Sequence, residues 1–152
     1  MKEKQRKISW EELEKLNEEL IKKTSEEKFD SLLCVASGGL ILGKLLSDYK
    51  KIPLALVIAK SYPQGKQTKN PVKISNIASI KNLFGKTLLI DDLVDSGDTL
   101  TEIINLLKKK KEITEIKTAV IFVKPTSRFT PNFYVQKTKD WIIFPYEKKE
   151  FS

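Results

Sequence analysis

The sequence predicts a single α/β domain built on a mainly parallel sheet flanked by helices, and three observations support this prediction. Short apolar runs of about four to eight residues, typical of buried strands, recur along the chain. Segments with helical spacing separate several of these runs, an alternation typical of parallel sheets with right-handed crossovers. The length of 152 residues suits one domain with one core, and we find no internal repeat or linker.

The first predicted element is an amphipathic helix over 9–22. Ser9 and Glu12 form a capping box at its start, because each side chain can bond to the other residue's backbone N–H. Apolar residues then recur on one face of the helix: Trp10, Leu13, Leu16 and Leu20.

A strand–turn–helix unit follows. The run SLLCVA (31–36) predicts a buried strand, SGG (37–39) a glycine turn, and LILGKLLSDY (40–49) a helix. The run PLALVIAK (53–60) predicts the next strand. The single cysteine, Cys34, lies in the first run and is interpreted as a small core residue.

The segment SYPQGKQTKNPVKI (61–74) is polar and rich in Pro, Gly and Lys, so it is predicted to be an exposed, mobile loop. Longer loops of this kind are often lids over a binding site.

A second strand–turn–helix unit carries an unusual charge pattern. TLLI (87–90) predicts a buried strand, a helix is expected from about 98 to 107, and TAVIFV (118–123) predicts a fourth strand. Between strand and helix stands the string DDLVDSGD, whose carboxylates repel one another at a cost in stability. In parallel sheets ligands bind beyond the carboxyl ends of strands, so this string marks the expected site.

The net charge of +8, from 28 Lys and Arg against 20 Asp and Glu, is compatible with three kinds of partner. These are nucleic acid, an acidic membrane surface and a polyanionic small substrate. Apart from KKKK at 108–111 the lysines are scattered, and a lysine-rich proteome gives the same balance. Charge alone therefore selects no partner.

Several classes are excluded by composition. There is no histidine, which excludes His-based catalytic triads and the commonest zinc sites. No apolar run approaches the roughly 20 residues that span a bilayer. The charged start MKEKQRK leads into WEELEKLNEEL rather than an apolar segment, which argues against a secretory signal. We expect a cytoplasmic protein, with association to an acidic membrane surface left open.

The end of the acidic string, DSGDT, has the features of a phosphate site. Gly97 permits a tight turn, Ser96 and Thr99 offer hydroxyls, and a helix N-terminus lies beside them. Acids next to such a turn suit a ligand with a phosphate at one end and sugar hydroxyls at the other, bridged by Mg²⁺. A Walker-type site is excluded because no GxxxxGK[ST] occurs. The structural alternative is that Asp98 only caps the helix and DSG only turns the chain.

LLIDDLVDSGDTL also resembles the signature with which type I phosphoribosyltransferases bind 5-phosphoribosyl-1-pyrophosphate (PRPP). Further segments resemble this family: VASGGL (35–40) its pyrophosphate loop, SY (61–62) the opening of its flexible hood, IFVKP (121–125) its purine-binding segment, and DWIIFPYE (140–147) the base pocket of bacterial and archaeal 6-oxopurine enzymes. Length, order and spacing match the short xanthine–guanine phosphoribosyltransferases over essentially the full chain.

The resemblance implies a type I phosphoribosyltransferase fold over 1–152, with a hood at about 61–78 and a base-binding segment at about 124–147. It implies transfer of the 5-phosphoribosyl group from PRPP to guanine, xanthine or hypoxanthine, giving the nucleoside monophosphate and pyrophosphate. The transition state is expected to resemble an oxocarbenium ion, so catalysis would rest on positioning and charge neutralisation. Mg²⁺ is the implied cofactor, and a homo-oligomer, dimer or tetramer, the implied assembly.

On the PRPP side, the resemblance implies that Asp91 and Asp92 hold the ribose hydroxyls, with Asp92 contacting Mg²⁺ directly or through water. Residues 95–99 would wrap the 5′-phosphate, and Lys66 or Lys69 of the hood would meet the pyrophosphate. The full implied set for PRPP is Ser37, Gly38, Lys69, Asp91, Asp92, Leu93, Val94, Asp95, Ser96, Gly97, Asp98 and Thr99.

On the purine side, the resemblance places Asp95 near N7 as the general acid/base, a role that burial would favour. Lys124 would donate to the 6-oxo group and so reject adenine, whose 6-amino group is itself a donor. Trp141 would stack on the base and the carbonyl of Ile142 would contact the 2-substituent. Without the neighbouring motifs, Lys124 would be interpreted as a surface lysine and Trp141 as a core residue.

One departure concerns Ser37, since this loop usually carries Arg before its Gly-Gly pair in the xanthine–guanine enzymes. Loss of a guanidinium removes a charge-assisted contact worth about 1.5–3 kcal/mol. This departure and the net charge favour one alternative, a PRPP-sensing regulator that binds nucleic acid, but no basic patch studded with aromatic residues supports it. A phosphoribosyltransferase for another acceptor is a further alternative, against which IFVKP and DWIIFPYE argue.

Overall fold

A six-stranded sheet forms the centre of the structure, a computed structural model that describes residues 2–61, 72–78 and 82–147. The helices and strands, in chain order, are β1 Gln5–Lys7, α1 Trp10–Lys23, β2 Ser31–Ala36, α2 Leu40–Lys50, β3 Leu54–Ser61, β4 Val72–Ala78, β5 Gly85–Val94, α3 Asp98–Leu107, β6 Ile113–Val123, β7 Phe133–Lys137 and β8 Trp141–Ile143. A 3₁₀ helix, Pro145–Glu147, follows β8.

The strand order of the large sheet is β4-β3-β2-β5-β6-β7. Every neighbouring pair in it is parallel except β3–β4, which is antiparallel at the edge. Strands β1 and β8 form a separate parallel pair, in which Gln5 lies opposite Trp141. The predicted mainly parallel α/β architecture is thus confirmed.

The central strands are buried on both faces, which explains their continuous apolar runs. Successive side chains of a strand point to opposite faces, so neighbours enter different cores. Leu32 and Leu88 belong to the core beneath α1 and α2, whereas Leu33 and Leu89 belong to the core beneath α3. Among the described residues, no helix is long and apolar enough to span a membrane.

The predicted capping box places the start of α1 correctly. Ser9 is the N-cap, and its Oγ accepts a hydrogen bond from the N–H of Glu12 at 3.0 Å. Leu13, Leu16 and Leu20 are buried as predicted, but Trp10 is 54% exposed and lies outside the buried face.

Other predicted boundaries need correction. Strand β5 does not stop at residue 90 but continues to Val94, so Asp91 and Asp92 are strand residues rather than loop residues. Strand β6 begins at Ile113, ahead of the predicted 118. In both cases the added part of the strand contains polar residues, so the apolar run ends before the strand does. Backbone pairing between strands does not require an apolar side chain.

The loop predicted over 61–74 is wrong at both ends. Ser61 closes β3, and residues 72–74 belong to β4, which pairs with β3 through a bulge between Ile58 and Ala59. The hood predicted over 61–78 therefore includes strand β4, and residues 62–71 of it lie outside the described residues. Strands β1, β7 and β8 were not predicted, because they are only 3, 5 and 3 residues long. The apolar residues of β8 were interpreted as part of a base pocket instead.

Candidate functional site

The candidate site lies where the carboxyl ends of β2 and β5 meet. These strands are parallel neighbours, with Cys34 opposite Ile90. The carboxyl ends of the two strands therefore lie at the same edge of the sheet. This edge carries residues 37–39, which follow β2, and residues 91–94, which end β5. The structure brings together the two segments that the sequence singled out.

The two adjacent acids differ in their surroundings. Asp91 is buried, with 9% of its surface exposed, and its Oδ1 accepts a hydrogen bond from the N–H of Asp92 at 2.8 Å. Burial raises the pKa of Asp91 well above its usual range, and the charge of Asp92 raises it further. Asp92 is half-buried and faces the loop after β2. The two carboxyl groups therefore lie close together at the end of β5, one of them buried and the other half-buried.

Asp92 is held between two residues from distant parts of the chain. The hydroxyl of Tyr146 donates a hydrogen bond to Asp92 Oδ2 at 2.6 Å and also lies 3.3 Å from the carbonyl oxygen of Gly38. A Cβ at Gly38 would lie 2.5 Å from Asp92 Oδ2 and 2.8 Å from Oδ1. Only glycine allows the carboxylate to approach the loop this closely.

Tyr146 is a site residue that the sequence interpretation missed. Burial raises the pKa of its hydroxyl far above the usual range, and the nearby carboxylate of Asp92 raises it further. The sequence offers only a weak signal, namely that a tyrosine in an apolar segment needs a hydrogen-bond partner when it is buried. Nothing in the sequence identifies Asp92 as that partner.

The predicted phosphate turn, residues 95–99, has the geometry of a helix N-terminus. Gly97 has φ +94°, in the left-handed region that favours glycine, and it is the N-cap of α3 without a side-chain cap. Asp98 is the first residue of the helix, so the alternative that it acts as the N-cap is wrong. Ser96 Oγ accepts from the Asp98 N–H at 3.2 Å, and Thr99 is half-buried in the first turn. An anion at this turn would meet oriented N–H groups and the helix dipole.

Asp95 is exposed at the start of the turn. The sequence argument relied on burial to make it an effective acid/base, and the surroundings of Asp95 do not supply that burial. A bound ligand that covers the turn would have to provide it.

Leu93 and Val94 end β5 with packed side chains, one on each face of the sheet. They can offer a ligand only backbone groups, and the Val94 carbonyl already accepts from the N–H of Lys124 at 2.9 Å.

Lys124 lies directly after β6 and is only 5% exposed, so its interpretation as a surface lysine is wrong. Its Nζ donates to the carbonyl oxygens of Asp140 at 2.7 Å and Lys139 at 3.2 Å, and to Glu3 Oε2 at 3.1 Å. The ammonium group therefore fixes the turn before β8 and tethers the amino-terminal segment.

Trp141 and Ile142 lie in β8. Trp141 is 55% exposed, so its interpretation as a core residue is wrong and its ring can be contacted from outside. Trp141 N–H donates to the Lys4 carbonyl at 2.7 Å, and Ile8 N–H donates to the Ile143 carbonyl at 2.9 Å. Backbone groups alternate in direction along a strand, so the carbonyl of Ile142 faces away from β1.

The remaining predicted contacts are in the loop after β2 and in the hood. Ser37 is exposed and follows a cis peptide bond, and its carbonyl accepts from the Leu40 N–H at 3.1 Å. Lys66 and Lys69 lie outside the described residues.

Carboxylates are suitable Mg²⁺ ligands, and the family resemblance implies Asp92 for this role. Within the described ranges, no three Asp, Glu, Cys or His side chains form a cluster that could hold a metal alone. Mg²⁺ in nucleotide sites typically uses one or two carboxylates and takes its other ligands from water and substrate phosphates. The half-buried carboxylate of Asp92, at the carboxyl end of β5, could supply one such ligand.

Comparisons with known proteins agree with this geometry. The family model described as "Phosphoribosyl transferase domain" matches residues 9–148, and the chain belongs to this family. The purine phosphoribosyltransferase from Pyrococcus horikoshii Ot3 shares 32% identity, with a TM-score of 0.82 over 95% of both chains.

Two further relatives have purine-related names. The Helicobacter pylori xanthine-guanine-hypoxanthine phosphoribosyltransferase has a TM-score of 0.82 and 27% identity, over 94% of each chain. The xanthine-guanine phosphoribosyltransferase of Idiomarina loihiensis is 27% identical over 144 residues, which cover 92% of this chain and 85% of the relative.

Proposed function

We propose that this protein transfers the 5-phosphoribosyl group of PRPP to a 6-oxopurine, forming the nucleoside monophosphate and pyrophosphate in purine salvage. The observation that carries the proposal is the acidic pair at the end of β5, followed by the N-terminus of α3 with Gly97 as its N-cap. The matched family and the purine substrates in the relatives' names support the choice of reaction and base.

Asp91 and Asp92 would bind the ribose hydroxyls, and Asp92 would also contact Mg²⁺. When bound, the metal would neutralise charge on the pyrophosphate and so favour its departure. The turn 95–99 would hold the 5′-phosphate through backbone N–H groups and the hydroxyl groups of Ser96 and Thr99. With both ends of PRPP fixed, the anomeric carbon is presented to the base.

Asp95 would exchange a proton with the purine near N7 as the new bond forms. General acid/base catalysis of this kind contributes about 10²–10⁴ in rate. The exposed carboxylate lies at the start of the phosphate turn, and a purine bound next to it would partly bury it.

Lys124 and β8 would select the base. The Lys124 ammonium already donates to three acceptors, so a purine 6-oxo group would have to replace one or share a proton. Glu3 is the acceptor that a purine would most easily replace, because its side chain is exposed and water can hydrate the released carboxylate. Trp141 would stack on the ring and the Ile142 carbonyl would accept from a 2-amino group.

The test is pyrophosphate release from PRPP with Mg²⁺, comparing guanine, xanthine, hypoxanthine and adenine. We expect turnover with 6-oxopurines, little with adenine, and a loss of about 10²–10⁴ in Asp95→Asn. Asp48→Asn is the matched control, an exposed aspartate near the end of α2 that pairs with Lys44, and it should retain full activity. PRPP binding without turnover on any base would overturn the proposed enzymatic function and favour the alternative of a PRPP-sensing regulator. Salt-dependent binding to nucleic acid would identify such a regulator.

We also propose that the protein forms a homo-oligomer, a dimer or tetramer, as expected from the family resemblance. Light scattering after size-exclusion chromatography measures this directly. A monomer at micromolar concentration would overturn it.

A further inference from the structure

Tyr146 connects the carboxyl-terminal segment to the acidic site through a ring that core packing holds in place. It is the middle residue of the 3₁₀ helix Pro145–Glu147. Its ring stacks on Phe144, with centroids 5.1 Å apart and planes 6° apart, and Phe144 in turn packs against Phe122. Glu147 closes this short helix, because its Oε2 accepts from the Phe144 N–H at 3.1 Å. Packing against Phe144 thus helps to hold the Tyr146 hydroxyl group beside Asp92.

The hydroxyl is in position to donate its single proton to Asp92. The O–O distance of 2.6 Å to Asp92 Oδ2 is typical of a hydrogen bond to a charged carboxylate, whereas the Gly38 carbonyl is farther, at 3.3 Å. Asp92 also lies against Gly38 on the loop after β2, where a side chain would overlap its carboxylate. Asp92 is therefore restrained by a donor on one side and by backbone on the other.

A phenol has a property that suits this position. It stabilises the negative charge of Asp92 through a hydrogen bond without neutralising it. A lysine or arginine in the same place would compete with Mg²⁺, whereas a neutral donor leaves the carboxylate anionic and engages only Oδ2. The second oxygen, Oδ1, remains for a cation or a ribose hydroxyl.

We propose that Tyr146 is a positioning residue, which orients Asp92 for PRPP and Mg²⁺ and ties the base-binding segment to the PRPP site. This inference rests on the proposed function, since it assumes that Asp92 contacts PRPP. It gives the Pro145–Glu147 helix a role in PRPP binding, although the sequence assigns that segment to the base.

The test is calorimetric titration of PRPP into Tyr146→Phe at several Mg²⁺ concentrations, with no base present. Phenylalanine keeps the stacking on Phe144 and removes only the hydroxyl group. We expect PRPP affinity to fall about tenfold or more, as for loss of a hydrogen bond to a charged group, and half-saturation to need more Mg²⁺. In turnover, the KM for PRPP should rise while the KM for the purine changes little.

Tyr134→Phe is the matched control. Tyr134 is a half-buried tyrosine of β7 that lies beside Lys137, and losing its hydroxyl should leave PRPP binding unchanged. Wild-type PRPP affinity and Mg²⁺ dependence in Tyr146→Phe would overturn the inference. So would a loss that affects the KM for PRPP and for purine equally and follows a drop in Tm. Failure of the wild-type protein to bind PRPP would instead refute the proposed function.

Discussion

Replacing Gly38 by alanine would place a methyl group against the carboxylate of Asp92. The new Cβ would lie 2.5 Å from Asp92 Oδ2, 2.7 Å from Cγ and 2.8 Å from Oδ1. Gly38 is not among the residues with positive φ, so the left-handed conformation that disfavours alanine is not an obstacle here. The consequences of the substitution thus come from the methyl group alone.

The size of the effect follows from these distances. Ordinary carbon–oxygen contacts begin near 3.4 Å, so Asp92 Oδ2 would have to move by about 0.9 Å. The Tyr146 hydrogen bond, at 2.6 Å in the wild-type structure, would not survive a shift of that size intact. Misplacement of a binding group by about 1 Å can cost roughly 10²-fold in catalysis, and we expect a loss of this order in kcat/KM for PRPP.

The assay compares kcat/KM for PRPP and Tm in Gly38→Ala with the same values in Gly39→Ala. A Cβ at Gly39 would lie 2.8 Å from the carbonyl oxygen of Ile90 and 2.9 Å from that of Val35, both in the central sheet. Backbone in a paired sheet cannot move aside as a side chain can, so Gly39→Ala should mainly lower Tm. Gly38→Ala should instead lose activity and keep most of its Tm.

Wild-type kcat/KM for PRPP in Gly38→Ala would refute this reasoning. It would mean either that the carboxylate of Asp92 can move without consequence or that it does not contact PRPP. A large fall in Tm with unchanged activity per folded molecule would also contradict it.

Three further predictions concern other residues. Burial and the charge of Asp92 raise the pKa of Asp91, so the folded state loses stability as pH rises from the ordinary 3.8 towards that raised pKa. Asp91→Asn should remove this loss and so raise Tm at neutral pH relative to wild type. Calorimetry without ligand between about pH 4 and 8 measures this, and a pH profile of Tm that is unchanged in the variant would contradict the argument. Lys124→Met should lower the unfolding free energy by about 1–3 kcal/mol, because the carbonyl groups of Lys139 and Asp140 lose their charged donor. It should also weaken discrimination against adenine, and denaturant titration and steady-state kinetics would measure the two effects. Ser31 lies at the end of β2 away from the candidate site, and its hydroxyl group bonds to the N–H and the carbonyl of Phe84, both at 2.9 Å. Ser31→Ala removes both bonds, so denaturant titration should show an unfolding free energy lower by about 1–3 kcal/mol, with kcat/KM unchanged. An altered kcat/KM would contradict this prediction.

The sequence determined the central strands and the acidic site by local pattern. Strands buried on both faces need continuous apolar residues, so the runs within β2, β5 and β6 identify them without tertiary information. The apolar run of β3 identified it as well, although its Ile58 is exposed. The string around Asp91 and Gly97 is equally local, because a strand end, a turn and a helix start are consecutive in the chain. For the same reason the start of α1 at its Ser9 cap was predictable.

The edge and terminal strands were not predictable in this way. Strand β1 forms by pairing with β8, where Gln5 lies opposite Trp141. Strand β4 pairs with β3, from which residues 62–71 separate it in the chain. Short segments with mixed polarity take strand structure from their partners rather than from their own composition. Which partner they meet depends on the packing of the whole domain.

The tertiary structure also decided how Asp92 is held. Tyr146 is 54 residues from Asp92 and 108 from Gly38, yet its hydroxyl contacts both. Local patterns describe interactions within a few residues, whereas close packing fixes which distant groups share a space of a few ångströms. The sequence therefore identified the acids and Gly38 as candidate site residues, and only the fold showed that Tyr146 and Gly38 both lie against Asp92.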